Sequence, residues 1–213
     1  MNFNLIKKEF LLMKRKLFIY MILCLGLIVF AKLFVNQEII ENILVGAIGA
    51  LFSYFITIIL FEAEEKDKAE AIMVTLPYTR REIVKAKYNY LIFVSVLFYC
   101  LCMLESGFLV LFQIGTFCTS GILYGLFASI VIYGLMIPFF IRFHYVKATN
   151  VMMLSIMGIN AFVVLYSKNF VALISPINSL KQIDLIKAGI FSVSVIVISY
   201  MLSKFFYQNK ELL

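Results

Sequence analysis

The sequence lacks almost everything that enzymes draw on. It has one histidine, His144, in 213 residues. No Asp or Glu lies near it in sequence, so a metal site would need partners from elsewhere. His144 therefore reads as an interfacial polar residue. The phosphate-loop pattern G-x-x-x-x-G-K-[ST], the G-x-S-x-G nucleophile turn and the H-E-x-x-H zinc helix are all missing. No catalytic, metal or cofactor-binding residue is expected on this chain. The four cysteines, Cys24, Cys100, Cys102 and Cys118, show no metal-ligand spacing, and Cys100-Leu-Cys102 is not C-x-x-C. The first three fall inside apolar runs and read as small packing groups. No linker rich in Pro, Gly or Ser, no low-complexity tract and no repeat divides the chain. Residues 1–213 are expected to form one domain.

Charge is also scarce. Only 15% of residues are charged and 63% are hydrophobic, with a mean hydropathy of +1.01. Soluble domains carry roughly a quarter charged residues. A water-soluble core is excluded, and lipid is the solvent for most of the chain. Six runs are long enough to span: Leu17–Val35, Ile43–Phe61, Tyr88–Phe112, Gly121–Ile141, Val151–Ser167 and Ala188–Phe206. The fifth is the shortest. All are expected to be helices, because lipid offers no partner to an open backbone group. They lack the alternation, and exceed the length, of barrel strands. The first run lacks a small-residue cleavage site and is followed by further spans, so a cleaved signal peptide is not expected.

The basic residues sort by side. Lys7, Lys8, Lys14, Arg15 and Lys16 precede the first run. Lys66, Lys68, Arg80, Arg81, Lys85 and Lys87 lie between the second and third, Arg142 and Lys147 follow the fourth, and Lys204 and Lys210 sit at the end. Only Lys32, Lys168, Lys181 and Lys187 fall on the other side. Both termini and the second connection are therefore expected in the cytoplasm. The formal charge of +7 then anchors membrane ends, which argues against a nucleic-acid partner. Phe3, Ile6, Phe10, Met13 and Leu17 recur at helical spacing. They suggest a helix lying in the cytoplasmic interface before the first span, although a plain basic anchor fits as well.

Inside the apolar runs Glu105 stands out. An ionised group there is expensive. It reads either as a substrate contact or proton-linked group in a cavity, or as a carboxyl holding two helices together. Gly121 and Gly125 form a G-x-x-x-G pattern, and Gly46, Ala47, Gly49 and Ala50 cluster in the second run. Both patterns are read first as close helix packing.

Against this background one stretch is dense in charge of both signs: EEKDKAEAIMVTLPYTRREIVKAKY, Glu64 to Tyr88. Glu64 to Thr75 is rich in helix formers. Leu76-Pro77 ends that helix, since the residue before proline avoids helical angles. Thr79 and Glu82 then spell a capping box that opens a second helix. Ile72, Met73, Leu76 and Ile83 would be apolar side chains with no lipid to cover them. A cytoplasmic helix with charged and apolar faces suits docking on a protein, whereas a solvated loop would not need caps.

Asp67, Lys68, Leu76, Pro77, Thr79, Arg80, Ile83, Val84 and Lys87 resemble a signature of the ABC-2 type transporter permeases, in the small bacterial branch that pairs with a separate ATPase. The topology resembles that family over the whole chain. The resemblance implies an all-α integral membrane fold with six transmembrane helices, an N-terminal interfacial helix and a cytoplasmic coupling helix between spans two and three. It implies that Asp67, Lys68, Leu76, Pro77, Thr79, Arg80 and Arg81 meet the ATPase. ATP and Mg would then bind the partner subunit, and two permease chains, identical or paralogous, would face each other. Glu105 would line the cavity. The family usually places small helices outside between spans five and six. Here only Lys168–Lys187 is available, with Ser175-Pro176 as a possible start. Size and aromatic content are similar to Gram-positive members that export amphipathic peptides. Two other classes stay open: a non-transport membrane protein such as a bacteriocin immunity partner, and an intramembrane enzyme built on Glu105, for which no second catalytic group is in sight.

Overall fold

The computed structural model describes residues 3–34, 38–66, 78–112, 117, 119–143, 145–154 and 182–208. These residues are helical apart from short connections, with no strand among them. We label the helices α1 (Phe3–Phe34), α2 (Glu38–Lys66), α3 (Arg80–Leu111), α4 (Thr119–Arg142), α5 (145–154) and α6 (Gln182–Gln208). Five of them, α1 to α4 and α6, are long and apolar enough to cross a membrane. They contain the first four expected spans and the sixth, apart from Val35 and Phe112 at two span ends. The fifth, Val151–Ser167, lies outside the described residues beyond Leu154, as does the connection from there up to Lys181.

Each helix follows from its sequence. The apolar runs hold no proline except Pro138, and backbone groups in lipid must pair within the helix. Pro138 sits in the last turns of α4, where it leaves the carbonyl of Gly134 without its usual donor. Large apolar side chains such as Phe18, Leu23, Phe93, Leu104, Phe191 and Val197 face outward, as expected where lipid is the surrounding solvent.

The helix α1 departs from expectation. No break separates an interfacial piece from the first span. At 1.5 Å per residue its 32 residues make a rod of about 48 Å, well beyond the ~30 Å hydrocarbon core. Its buried stripe is Leu5, Glu9, Met13, Leu17, Met21, Cys24, Ile28 and Lys32. These follow one another at three- and four-residue steps and so share one face. Of the residues on the expected apolar face, Met13 and Leu17 are buried and Phe10 is exposed. The neighbouring helices α2 and α3 select the face, and sequence spacing alone allowed a rotation of the stripe.

Small residues set the closest approach. The α2 and α4 helices pack extensively on each other, as do α4 and α6. Gly121 and Gly125 of α4 lie against Gly46 and the Asn42 backbone of α2, so the G-x-x-x-G pattern works as close packing. A Cβ on Gly125 would lie 2.9 Å from the Tyr99 hydroxyl and 3.1 Å from the Gly46 Cα. Asn42 Oδ1 accepts from the Gly121 N–H at 3.0 Å, which supplies a partner at the open end of α4.

Hydroxyls stitch the remaining interfaces. Tyr99 of α3 pairs with Ser129 of α4 at 2.7 Å, and Ser95 pairs with Tyr133. The Tyr88 hydroxyl meets Ser199 and Ser203 of α6, the latter at 2.8 Å. In lipid such interhelical bonds contribute about 0.6–2 kcal/mol each. Cys24 and Cys102 are buried, in line with the packing role, but Cys100 is exposed on α3. Cys118 and His144 lie outside the described residues.

Two glycines should therefore respond oppositely to a side chain. Gly125→Val forces branched carbons against Tyr99 and Gly46 and should cost about 1–3 kcal/mol, the usual range for overpacking. Gly26→Ala, where a Cβ meets nothing within 4 Å, should be neutral or slightly stabilising, since alanine is the better helix former. Thermal unfolding in detergent distinguishes them. Equal midpoints would contradict the packing described.

Candidate functional site

The described flanks of the charged stretch converge on one end of the bundle. The α2 helix runs to Lys66 and α3 starts at Arg80. Residues 67–77, which contain Asp67, Lys68, Leu76, Pro77, Ile72 and Met73, lie outside the described residues. Thr79, Arg80 and Arg81 are described. The capping box is present: the Thr79 hydroxyl accepts from the Glu82 N–H at 3.3 Å, and Glu82 accepts from the Thr79 N–H at 2.9 Å. Ile83 does not await a partner, because it is buried in the core.

The last turn of α2 works as a hub. Successive residues on a helix point about 100° apart, so nearby glutamates reach different neighbours. Glu62 accepts from Lys16 of α1 at 3.5 Å and pairs with Lys66. Glu64 forms an ion pair with Lys87 of α3. Glu65 accepts from the Tyr145 N–H at the start of α5 at 3.0 Å. From the other stem, the Arg80 guanidinium donates to the carbonyls of Tyr207 at 3.1 Å and Gln208 at 2.7 Å. Those carbonyls end α6, where helices leave acceptors open and favour positive charge. Thus α1, α5 and α6 are fastened to the two stems of one loop.

At the centre of this cluster lies a buried charge group. Lys87 and Glu64 are almost fully shielded. The Lys87 ammonium also stands 4.7 Å from the centre of the Phe61 ring, and the Glu9 carboxylate acts on it electrostatically. Glu9 is buried on α1 and pairs with Lys8 at 3.3 Å. One oxygen of Glu9 and one of Glu64 find no hydrogen-bond partner among the described residues. Sequence reading counted Lys87 among the basic membrane anchors and took Glu64 as the start of a docking helix. Both are interior groups. Nothing in their spacing shows this, because the two ends of the charged stretch meet only once α2 and α3 pack. By contrast, Arg81 and Lys85 are exposed.

A second polar group joins α1 and α3 toward the far end. Lys32 is buried and donates to the Ser106 hydroxyl at 2.8 Å. Next to Ser106, both carboxylate oxygens of Glu105 are buried without a hydrogen-bond partner among the described residues, and the charge of Lys32 acts on Glu105. Glu9, Lys32, Glu41, Glu64 and Lys87 are buried too; of these only Lys32 falls, like Glu105, inside an expected span.

Comparison with known proteins gives a family match. Residues 4–208 match the family described as ABC-2 family transporter protein. No curated protein matches, and no solved structure matches. With nearly the whole chain covered, the protein belongs to that family. It is a membrane-embedded permease component of an ABC transporter, a transport subunit rather than a catalytic one, and the family implies cytoplasmic ABC ATPase partners.

The buried ion pair generates a sharp expectation. Lys87→Met strands the Glu64 carboxylate and should lower stability by about 3–5 kcal/mol, the usual cost of breaking one side of a buried pair. The double variant Lys87→Met, Glu64→Leu removes both charges and should recover most of that loss. Unfolding of the purified protein in detergent measures both. A single variant as stable as the parent would show that the pair is solvated.

Proposed function

We propose that this ABC-2 family chain is the permease of an ATP-driven exporter of amphipathic peptides or similar lipid-like molecules, driven through the loop between α2 and α3. In this reading Asp67, Lys68, Leu76 and Pro77 meet the ATPase, and the exposed Arg81 adds charge to that surface. Thr79 and Arg80 fix the loop to the bundle, Thr79 by capping α3 and Arg80 by holding the end of α6. The observation that carries the proposal is the hub itself. A loop whose stems are tied to α1, α5 and α6 delivers a push on the loop to the helices together.

ATP would close two ATPase subunits, which would press on the loops of two permease chains. The cavity between those chains would then change the side to which it opens. Such a cycle needs different affinities for cargo in the two states. Apolar and aromatic helices suit a cargo with a greasy face, because a water-borne solute would need polar partners in exchange for hydration. Glu105 is proposed to line the path, where a carboxyl suits a cationic peptide side chain. In size and composition the chain resembles the staphylococcal exporter of phenol-soluble modulins, and toxin secretion and self-protection against antimicrobial peptides are the roles proposed on that resemblance.

Both termini and the loop are proposed to be cytoplasmic, on the distribution of basic residues. A cysteine at position 67 (Asp67→Cys) should be protected from an impermeant thiol reagent on intact cells, and one at position 37 (Gln37→Cys) should react, in a chain cleared of its own cysteines. Labelling at position 67 from outside would overturn the topology.

The coupling proposal is tested with the ATPase that co-purifies with the chain. Replacing Asp67, Leu76 and Arg81 together by alanine should lower stimulated ATP turnover and peptide export at least about tenfold, as expected for loss of interface anchors. The variant should still insert and bind no ATP itself. Normal export by it would exclude docking through this loop.

A further inference from the structure

We propose that the groove between α4 and α6 at the cytoplasmic half of the bundle is a binding site for one anionic phospholipid of the inner leaflet. A cavity of about 260 Å³ is lined by Gly134, Leu135, Pro138, Phe139, Arg142, Phe143, Leu202 and Phe206. Its walls are apolar, and Leu135, Phe139 and Leu202 are open to the surroundings. Its single charge, Arg142, stands at the end of α4.

The dimensions fit a lipid chain in one leaflet. From Gly134 to Arg142 is eight residues along α4, about 12 Å at the helical rise. One leaflet contributes about 15 Å of hydrocarbon, half of the core. Gly134 closes the deep end, where Val195 of α6 fills the space that a side chain on Gly134 would take. Pro138 prevents the next turn from closing fully and leaves the Gly134 carbonyl without its helical donor.

Arg142 gives the groove its charge selectivity. Its guanidinium lies 4.9 Å from the Phe206 ring centre and 5.6 Å from that of Phe143. The two rings hold the cation at the mouth, where a phosphate would sit. Among the described residues no carboxylate lies within ion-pair distance of Arg142, in contrast to Lys8, Lys16, Lys66 and Lys87. A planar guanidinium offers paired donors to phosphate oxygens. A cationic cargo peptide would be repelled at this mouth, so the occupant is lipid and not cargo.

The experiment uses the intact protein with whatever ATPase co-purifies. It is stripped in detergent and offered phosphatidylglycerol or phosphatidylcholine, with retained lipid counted by native mass spectrometry. The parent should retain phosphatidylglycerol in preference. Arg142→Gln should reduce that preference about fivefold, the value of one basic contact to an anionic headgroup, and Arg142→Lys should keep part of it. Leu202→Trp, which fills the groove and leaves Arg142 in place, should displace the lipid. Free inorganic phosphate should not compete. Equal retention of both lipids by the parent would overturn the proposal, as would unchanged preference in Arg142→Gln. If Leu202→Trp instead changes oligomer size on a sizing column with no change in retained lipid, a second copy covers the groove and the proposal fails.

Discussion

The Lys87–Glu64 pair is the constraint on which the loop-bearing end of the bundle depends. It closes the two ends of the only strongly charged stretch on each other inside an apolar bundle. Buried charges are tolerated only when paired, so α2 and α3 must meet in one register for the pair to form. Glu9 adds α1 to the same point, and Lys8 balances its charge. With that register set, Glu62, Glu65 and Arg80 can reach α1, α5 and α6. The loop therefore leaves the bundle from a fixed base.

Beside and beyond this pair a different chemistry holds the helices. There the links are hydroxyl to hydroxyl, and α3 supplies most of them through Tyr88, Ser95 and Tyr99. Glycines do the complementary work between α2 and α4, where Gly46, Gly121 and Gly125 bring backbones close. Aromatic stacking, as between Phe52 and Phe98 with centres 4.0 Å apart, fills the space between. A lipid-facing bundle gains little from the hydrophobic effect between its helices. Fit and polar links replace it.

Much of this was legible in the sequence, and what was not has a common cause. The spans in α1 to α4 and α6 follow from run length, because lipid thickness dictates it. The Thr79–Glu82 cap and the Gly121–Gly125 approach follow from local chemistry. The fate of each charge does not. Lys87 has the same sequence context as Lys85, yet one is buried and the other exposed. Lys32 looked like an end-of-span anchor but donates to Ser106 inside the bundle. The unbroken α1 was also hidden, since a basic amphipathic segment can lie in an interface or continue a helix, and packing against α2 decides which. That Lys32 turns inward beside Glu105 was not legible, because helix ends conceal which way a long side chain turns.

The unbroken α1 also has a mechanical consequence. Kinks in helices arise at proline, Gly/Ser pairs or inserted groups, and α1 contains no proline. It is a stiff rod, held toward one end by Glu9, near its middle by Lys16 and near the other end by Lys32. A tilt of about 5° about one end would swing the other by about 4 Å over a rod of this length. A small displacement of its Glu9 end would thereby be enlarged at the other end of the rod, where Lys32 meets Ser106.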